Sequence, residues 1–175
     1  MHARREINHR KIHQQMREKI IRLIDRLSDA GAYLSSILLV IIIVLIVSNI
    51  ALMGTLGKSI MITDEYSAYM FAGFVMFGLG YTLKENGHIR INVLTSHLPK
   101  KIQFLFDVLR IVIAFLLSGF MLYYSVVMVK QAYIYQMRAD TVAQTLIWIP
   151  QLCMPIGFAI LWLQLLSELL KVVKK

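Results

Sequence analysis

Few side chains in this sequence have types and spacings that could carry chemistry. There are five histidines: His2, His9, His13, His88 and His97. His9 and His13 stand four apart, a spacing that puts two imidazoles on one helical face and suits a metal ion. In a basic tail the pair reads instead as solvent-facing, and no metal site is expected there. Cys153 is the one cysteine, so no disulfide forms within the chain. No glycine-rich phosphate loop, paired-cysteine metal motif or nucleophile elbow occurs. A polar stretch separates the second and third apolar runs: LKENGHIRINVLTSHLP, Leu83–Pro99, where Lys84, Glu85, His88, Arg90, Asn92 and His97 alternate with apolar residues. It reads as a catalytic loop, a ligand site or a connector lying on a surface, and the elements around it decide between these.

Those elements are very apolar. Of 175 residues, 58% are hydrophobic and 17% charged, against about 45–50% and about 25% in ordinary soluble domains. Four stretches lack Asp, Glu, Lys and Arg: Ala30–Gly57, Tyr66–Leu83, Ile111–Val129 and Thr141–Ser167, of 28, 18, 19 and 27 residues. Crossing the hydrocarbon takes roughly 20 apolar residues in a helix. The sequence therefore predicts an all-α membrane protein of four transmembrane helices, spanning about 30–53, 66–83, 109–130 and 145–167 of a single membrane domain, 1–175. The first uncharged run far exceeds the roughly 7–15 residue core of a signal peptide, and another span soon follows it, so the first helix is expected to stay.

The net charge of +9 raises nucleic acid as a partner, but the distribution argues for topology instead. Lys and Arg number eight in residues 1–29, one in 54–65, five in 84–110, two in 130–140 and three in 168–175. The positive-inside rule then places both termini and the 84–110 loop in the cytoplasm, with attraction to anionic phospholipid. Residues 7–29 predict an amphipathic helix, with Ile12, Met16, Ile20, Leu23 and Leu27 on one stripe and Glu18, Arg22, Asp25 and Asp29 opposite. Such a helix is expected to lie at the bilayer interface; the competing reading is a helix packed on a cytoplasmic partner. LPKKIQFLFDVL predicts an interfacial helix before the third span.

The spans differ in character. The first is aliphatic, with Asn49 near its outer end. The second holds Ala68, Ala72, Gly73, Gly78 and Gly80, which favour close helix packing in this chain or on a partner. In the third, Tyr123 and Tyr124 are expected near the outer interface. The fourth carries Pro150 and Pro155. One reading is a broken helix at a substrate site; the other is a helix starting near Pro150, with Trp148 at headgroup level.

No histidine lies in a span, as haem ligation in a membrane cytochrome would need. The four uncharged stretches that make up the spans hold no carboxylate or basic residue, which a stand-alone channel, a proton-coupled exporter or a transport core would use. The helices look like a scaffold.

Thr63–Leu109, TDEYSAYMFAGFVMFGLGYTLKENGHIRINVLTSHLPKKIQFLFDVL, resembles the small membrane subunit of tripartite ATP-independent periplasmic (TRAP) transporters. Glu65 matches an acidic residue before the second helix. HIRINVL matches the family's His-hydrophobic-Arg-hydrophobic-acid-hydrophobic-Leu motif at His88, Ile89, Arg90, Ile91, Val93 and Leu94, and Leu98-Pro99 matches a following Leu-Pro pair. Asn92 stands where the family usually has a carboxylate, and Asn49-Ile50 where it often has Arg-Tyr. The resemblance implies a bacterial inner-membrane protein that is not an enzyme and holds no cofactor. Its partners would be a large multi-span transport subunit, which carries the sodium and substrate sites and forms a heterodimer with it, and a periplasmic substrate-binding protein. The solute would be an organic acid of dicarboxylate or sialic acid type. Nucleic acid is not an expected partner. The alternative is a membrane anchor for a respiratory or redox complex. Candidates for contact with partner or lipid are Glu65, Lys84, His88, Arg90 and Asn92. For Glu65, capping of the second helix competes with partner contact; for the Lys84–Pro99 connector, capping and loop fixation compete with it.

Overall fold

The computed structural model of the protein describes residues 2–85 and 99–172; for 2–14, 100, 101, 104, 107 and 172 it describes the backbone alone. The described residues are helical apart from their loops. We number the helices α1 (His2–Leu56), α2 (Thr63–Lys84), α3 (Lys100–Ile134), α4 (Trp148–Gln151) and α5 (Cys153–Val172). Three helical stretches are long and apolar enough to cross a membrane: Gln15–Leu56, Val108–Ile134 and Trp148–Lys171. Helix α2 has 22 residues, about 33 Å at 1.5 Å per residue, but its serine, tyrosines and glycines dilute its hydropathy.

Two expected surface helices are not separate elements. Helix α1 has 55 residues without interruption, about 82 Å, so the amphipathic segment and the first span share one helix. No proline lies in it to break the ladder. Helix α3 likewise runs 35 residues from Lys100, so LPKKIQFLFDVL leads into the span with no turn between; from Lys100 to Ser118 there is neither proline nor glycine. Because α3 continues past Lys130, Tyr123 and Tyr124 lie about 15 Å short of its end, exposed on its flank. The rings at the helix ends are others: Tyr133 and Trp148 meet edge to face, centroids 5.4 Å apart.

Helix α1 stops at Gly57, whose φ of +62° is the left-handed conformation glycine adopts freely. Asn49 then accepts the Ile60 N–H at 2.7 Å and a hydrogen bond from the Ser59 hydroxyl at 3.3 Å, folding the loop back onto the helix. Proline 155 has no N–H for the Gln151 carbonyl one turn earlier, and there the fourth apolar segment divides into α4 and α5. The helix starts at Trp148 with Pro150 in its first turn, as the second of the two proline readings expects.

The small residues of α2 pack within the chain, between α1 and α5. A Cβ on Gly80 would stand 2.6 Å from the Ile160 side chain, and one on Gly157 would stand 2.6 Å from the Met76 carbonyl oxygen. A Cβ on Gly31 would meet the Phe77 carbonyl at 2.7 Å. The Ser35 hydroxyl donates to the Phe74 carbonyl at 2.7 Å across the same contact. Helix α3 leans on α5, with Phe115 stacked on Trp162 at 4.6 Å. The outer flanks of α1 and α3 are apolar and exposed.

Candidate functional site

Polar side chains gather at the two ends of the bundle. At the end that carries the α2–α3 connector and both termini, α1, α2 and α5 converge. Ser28 donates to Gln164 Oε1 at 2.9 Å, and Gln164 Nε2 donates to Asp25 at 3.0 Å. Ser28, Gln164 and Ser167 are fully buried. Lys171 stands 3.7 Å from Asp25 and 3.1 Å from Glu168. Lys84, at the last turn of α2, pairs with Asp29 at 2.5 Å. That hydrogen bond raises the Lys84 ammonium above its ordinary pKa, against a smaller opposing effect of burial. Three helices are thus tied by one amide, two ion pairs and a serine. Buried polar groups are rarely left unpartnered; here Asp25, Ser28 and Gln164 partner one another, while the buried Ser167 hydroxyl has no hydrogen-bond partner among the described residues.

At the opposite end, the chain between α3 and α4 folds as a small hairpin. Ala139 N–H bonds the Thr145 carbonyl at 3.0 Å, Ile147 N–H bonds the Met137 carbonyl at 3.1 Å, and Arg138 bridges Leu146. Gln136 and Gln144 take left-handed φ values of 48° and 45° to turn it. Glu65, in the first turn of α2 and 9% exposed, grips this hairpin. It accepts hydrogen bonds from the Thr141 hydroxyl and, at 3.0 Å, from Tyr69 Oη. The Thr141 bond holds its carboxyl below the ordinary value; burial opposes this, and Thr145 and Tyr69 reinforce it. The N-cap residue of α2, Ile62, makes no side-chain cap hydrogen bond, and the hydrogen bonds Glu65 accepts come from Thr141 in the loop and Tyr69 one turn along its own helix.

Between the end of α2, α3 and α5 lies a cleft of about 430 Å³. Its walls are apolar, among them Ala114, Leu117, Met121, Phe158 and Leu161, with Arg110 and Glu168 toward the end that carries the termini. Among the described residues no group of three or more His, Cys, Asp or Glu could hold a metal ion. His88, Arg90 and Asn92 lie outside the described residues. The structure brings Glu65 and Lys84 to opposite ends of α2, each bonded within the chain. Sequence reasoning missed Gln164 and the inward turn of Asp25 and Asp29. An amide three residues from the end of an uncharged run was the available signal for the first.

This geometry joins helices and leaves apolar surface outward. No curated protein matches the chain. The family profile of the tripartite ATP-independent periplasmic transporters, DctQ component, matches residues 42–175, which include α2 to α5 and the last part of α1, from Ile42 to Leu56. That family is a transporter component acting with a large membrane subunit and a periplasmic binding protein. With 134 of 175 residues matched, this chain belongs to the DctQ component family of TRAP transporters.

Proposed function

We propose that the protein is the non-catalytic small permease subunit of a sodium-coupled importer in the bacterial inner membrane. It crosses the membrane four times with both termini in the cytoplasm, and scaffolds the large subunit. That subunit holds the sodium ions and an organic acid of dicarboxylate or sialic acid type, handed over by the periplasmic binding protein. The carrying observation is where the described polar groups go. Asp25, Asp29, Lys84, Gln164 and Lys171 close one end of the bundle upon itself, while the flanks of α1 and α3 are apolar and exposed. Such a unit is stiff inside and adhesive outside, which suits a fixed frame against which a partner moves.

The test is sodium-dependent uptake of labelled organic acids in proteoliposomes. One set holds this chain alone, one the large subunit with the binding protein, and one all three. Uptake is expected from the complete set only. Full uptake without this chain, or uptake by it alone, rejects the scaffold reading.

The 84–99 connector is the second part of the proposal. Arg90, with His88 and Asn92 beside it, contacts lipid phosphate or partner carboxylate at the cytoplasmic surface. Arg90→Ala then lowers copurification of the large subunit or uptake; if both stay at wild-type level, the connector has no such contact.

A further inference from the structure

We propose that the first third of α1 carries a docking seam for a cytoplasmic helix of the large transport subunit, one whose own apolar stripe is edged by carboxylates. This rests on the small-subunit reading and its cytoplasmic termini. Residues 15–29 read QMREKIIRLIDRLSD. Met16, Ile20, Leu23 and Leu27 follow one another by four, three and four residues, the 3.5-residue period of a helix pair. They are 50, 51, 61 and 43% exposed. The same segment turns Asp25 and Ser28 into the bundle, where both are hydrogen-bonded. A helix left in water would do the reverse, and an exposed apolar stripe of this kind marks an interaction surface.

Three observations choose the occupant. The stripe continues without a gap in period through Leu34, Ile37, Ile41 and Val44, all exposed in the membrane half of α1. A membrane partner covering those residues is aligned to follow the seam outward. Second, α1 is unbroken, so the seam runs along the axis of a spanning helix and ends about 20 Å beyond Ser28. A bilayer surface lies across that axis, whereas a helix lies along it. Third, Lys19, Arg22 and Arg26 are exposed along one edge, while Asp25 and Asp29 pair inward with Lys171 and Lys84. Residues 1–29 hold eight Lys and Arg against four Asp and Glu, so a second copy would bring two basic segments together, and a carboxylate edge is the complement.

The experiment places a benzoylphenylalanine photo-crosslinker at Leu23, on the seam, or at Glu18, on the opposite side, in the full chain co-expressed with its large subunit in membranes. Crosslinking from Leu23 to an acid-rich cytoplasmic segment of the large subunit is expected, with little from Glu18. Charge reversal by Lys19→Glu, Arg22→Glu and Arg26→Glu together lowers the Leu23 yield roughly tenfold with helicity retained in circular dichroism. Crosslinks to a second copy, to phospholipid alone, equally from both positions, or none at all in a pair that copurifies overturn the seam. An unaltered yield after charge reversal overturns its electrostatic edge and with it the acidic partner. Wild-type chain that does not copurify the large subunit overturns the small-subunit reading itself, and the seam with it.

Discussion

Glu65 and Gln164 each join elements distant in sequence, and each supports a prediction at the residue scale. Glu65→Ala frees the 137–147 hairpin from α2, so amide hydrogen exchange there rises; Glu65→Gln, which keeps one acceptor oxygen, falls between it and the wild type. The Thr141 bond lowers the Glu65 pKa. Its stabilising contribution is therefore fully present above the ordinary carboxylate value and is lost as pH falls through the lowered one. Hairpin exchange should accelerate in that acidic window in the wild type and show no such step in Glu65→Gln. A step of equal size in both assigns the acid sensitivity to another group. Gln164→Leu leaves Ser28 and Asp25 without the amide that joins them, at a cost of about 1–3 kcal/mol. Thermal unfolding in detergent measures it, and an unchanged midpoint would show that the amide does not tie α1 to α5. Glu65 was legible in advance as a position of interest, because it matches the acidic residue that the TRAP small subunits carry before the second helix. Its distant partner was not, since Thr141 lies 76 residues away in a loop without regular pattern.

At the scale of elements, α2 is the middle of the bundle because its residues and those facing it are small. Gly157→Leu drives a side chain into the Met76 backbone, which cannot yield as a side chain does, and costs about 1–3 kcal/mol. Gly54→Ala is the matched control: nothing lies within 4 Å of its added Cβ, and replacing glycine inside a helix stabilises by up to about 1 kcal/mol. Unfolding of the two variants in detergent should diverge in opposite directions; equal stabilities would mean that α2 and α5 separate readily. The glycines predicted close packing from their size alone. The continuity of α1 and α3 was not legible in the same way. Polarity changes along both helices where charged segments meet apolar ones, and a change in polarity reads as a boundary. The backbone hydrogen-bond ladder is indifferent to it, and no residue interrupts the ladder.

For the whole molecule, the outward faces of α1 and α3 carry the larger prediction. In the α1 span window, 6% of residues are buried, and in that of α3, 17%, so most of their surface awaits lipid or protein. Carbene labelling from the hydrocarbon phase should mark both flanks in the isolated chain. Assembly with the large subunit should protect one continuous strip of them. A labelling pattern that assembly leaves unchanged would argue against a scaffold role. The TRAP resemblance was carried by Thr63–Leu109, and the family match over residues 42–175 extends it back to Ile42 in α1 and forward through α5.

What the sequence determined by itself is what depends on composition along the line of the chain: apolar stretches long enough for a bilayer, the alternation of basic loops, and the family motif. Each is local, because hydrophobic transfer and charge placement act on a segment wherever its neighbours are. Only the tertiary structure decided which face of each helix turns inward. On α1 it chose the face with Asp25, Ser28 and Asp29 over the stripe with Leu23 and Leu27. Gln164, Lys84 and Lys171 come from other helices to satisfy those groups, and a polar face is buried only where such partners arrive together.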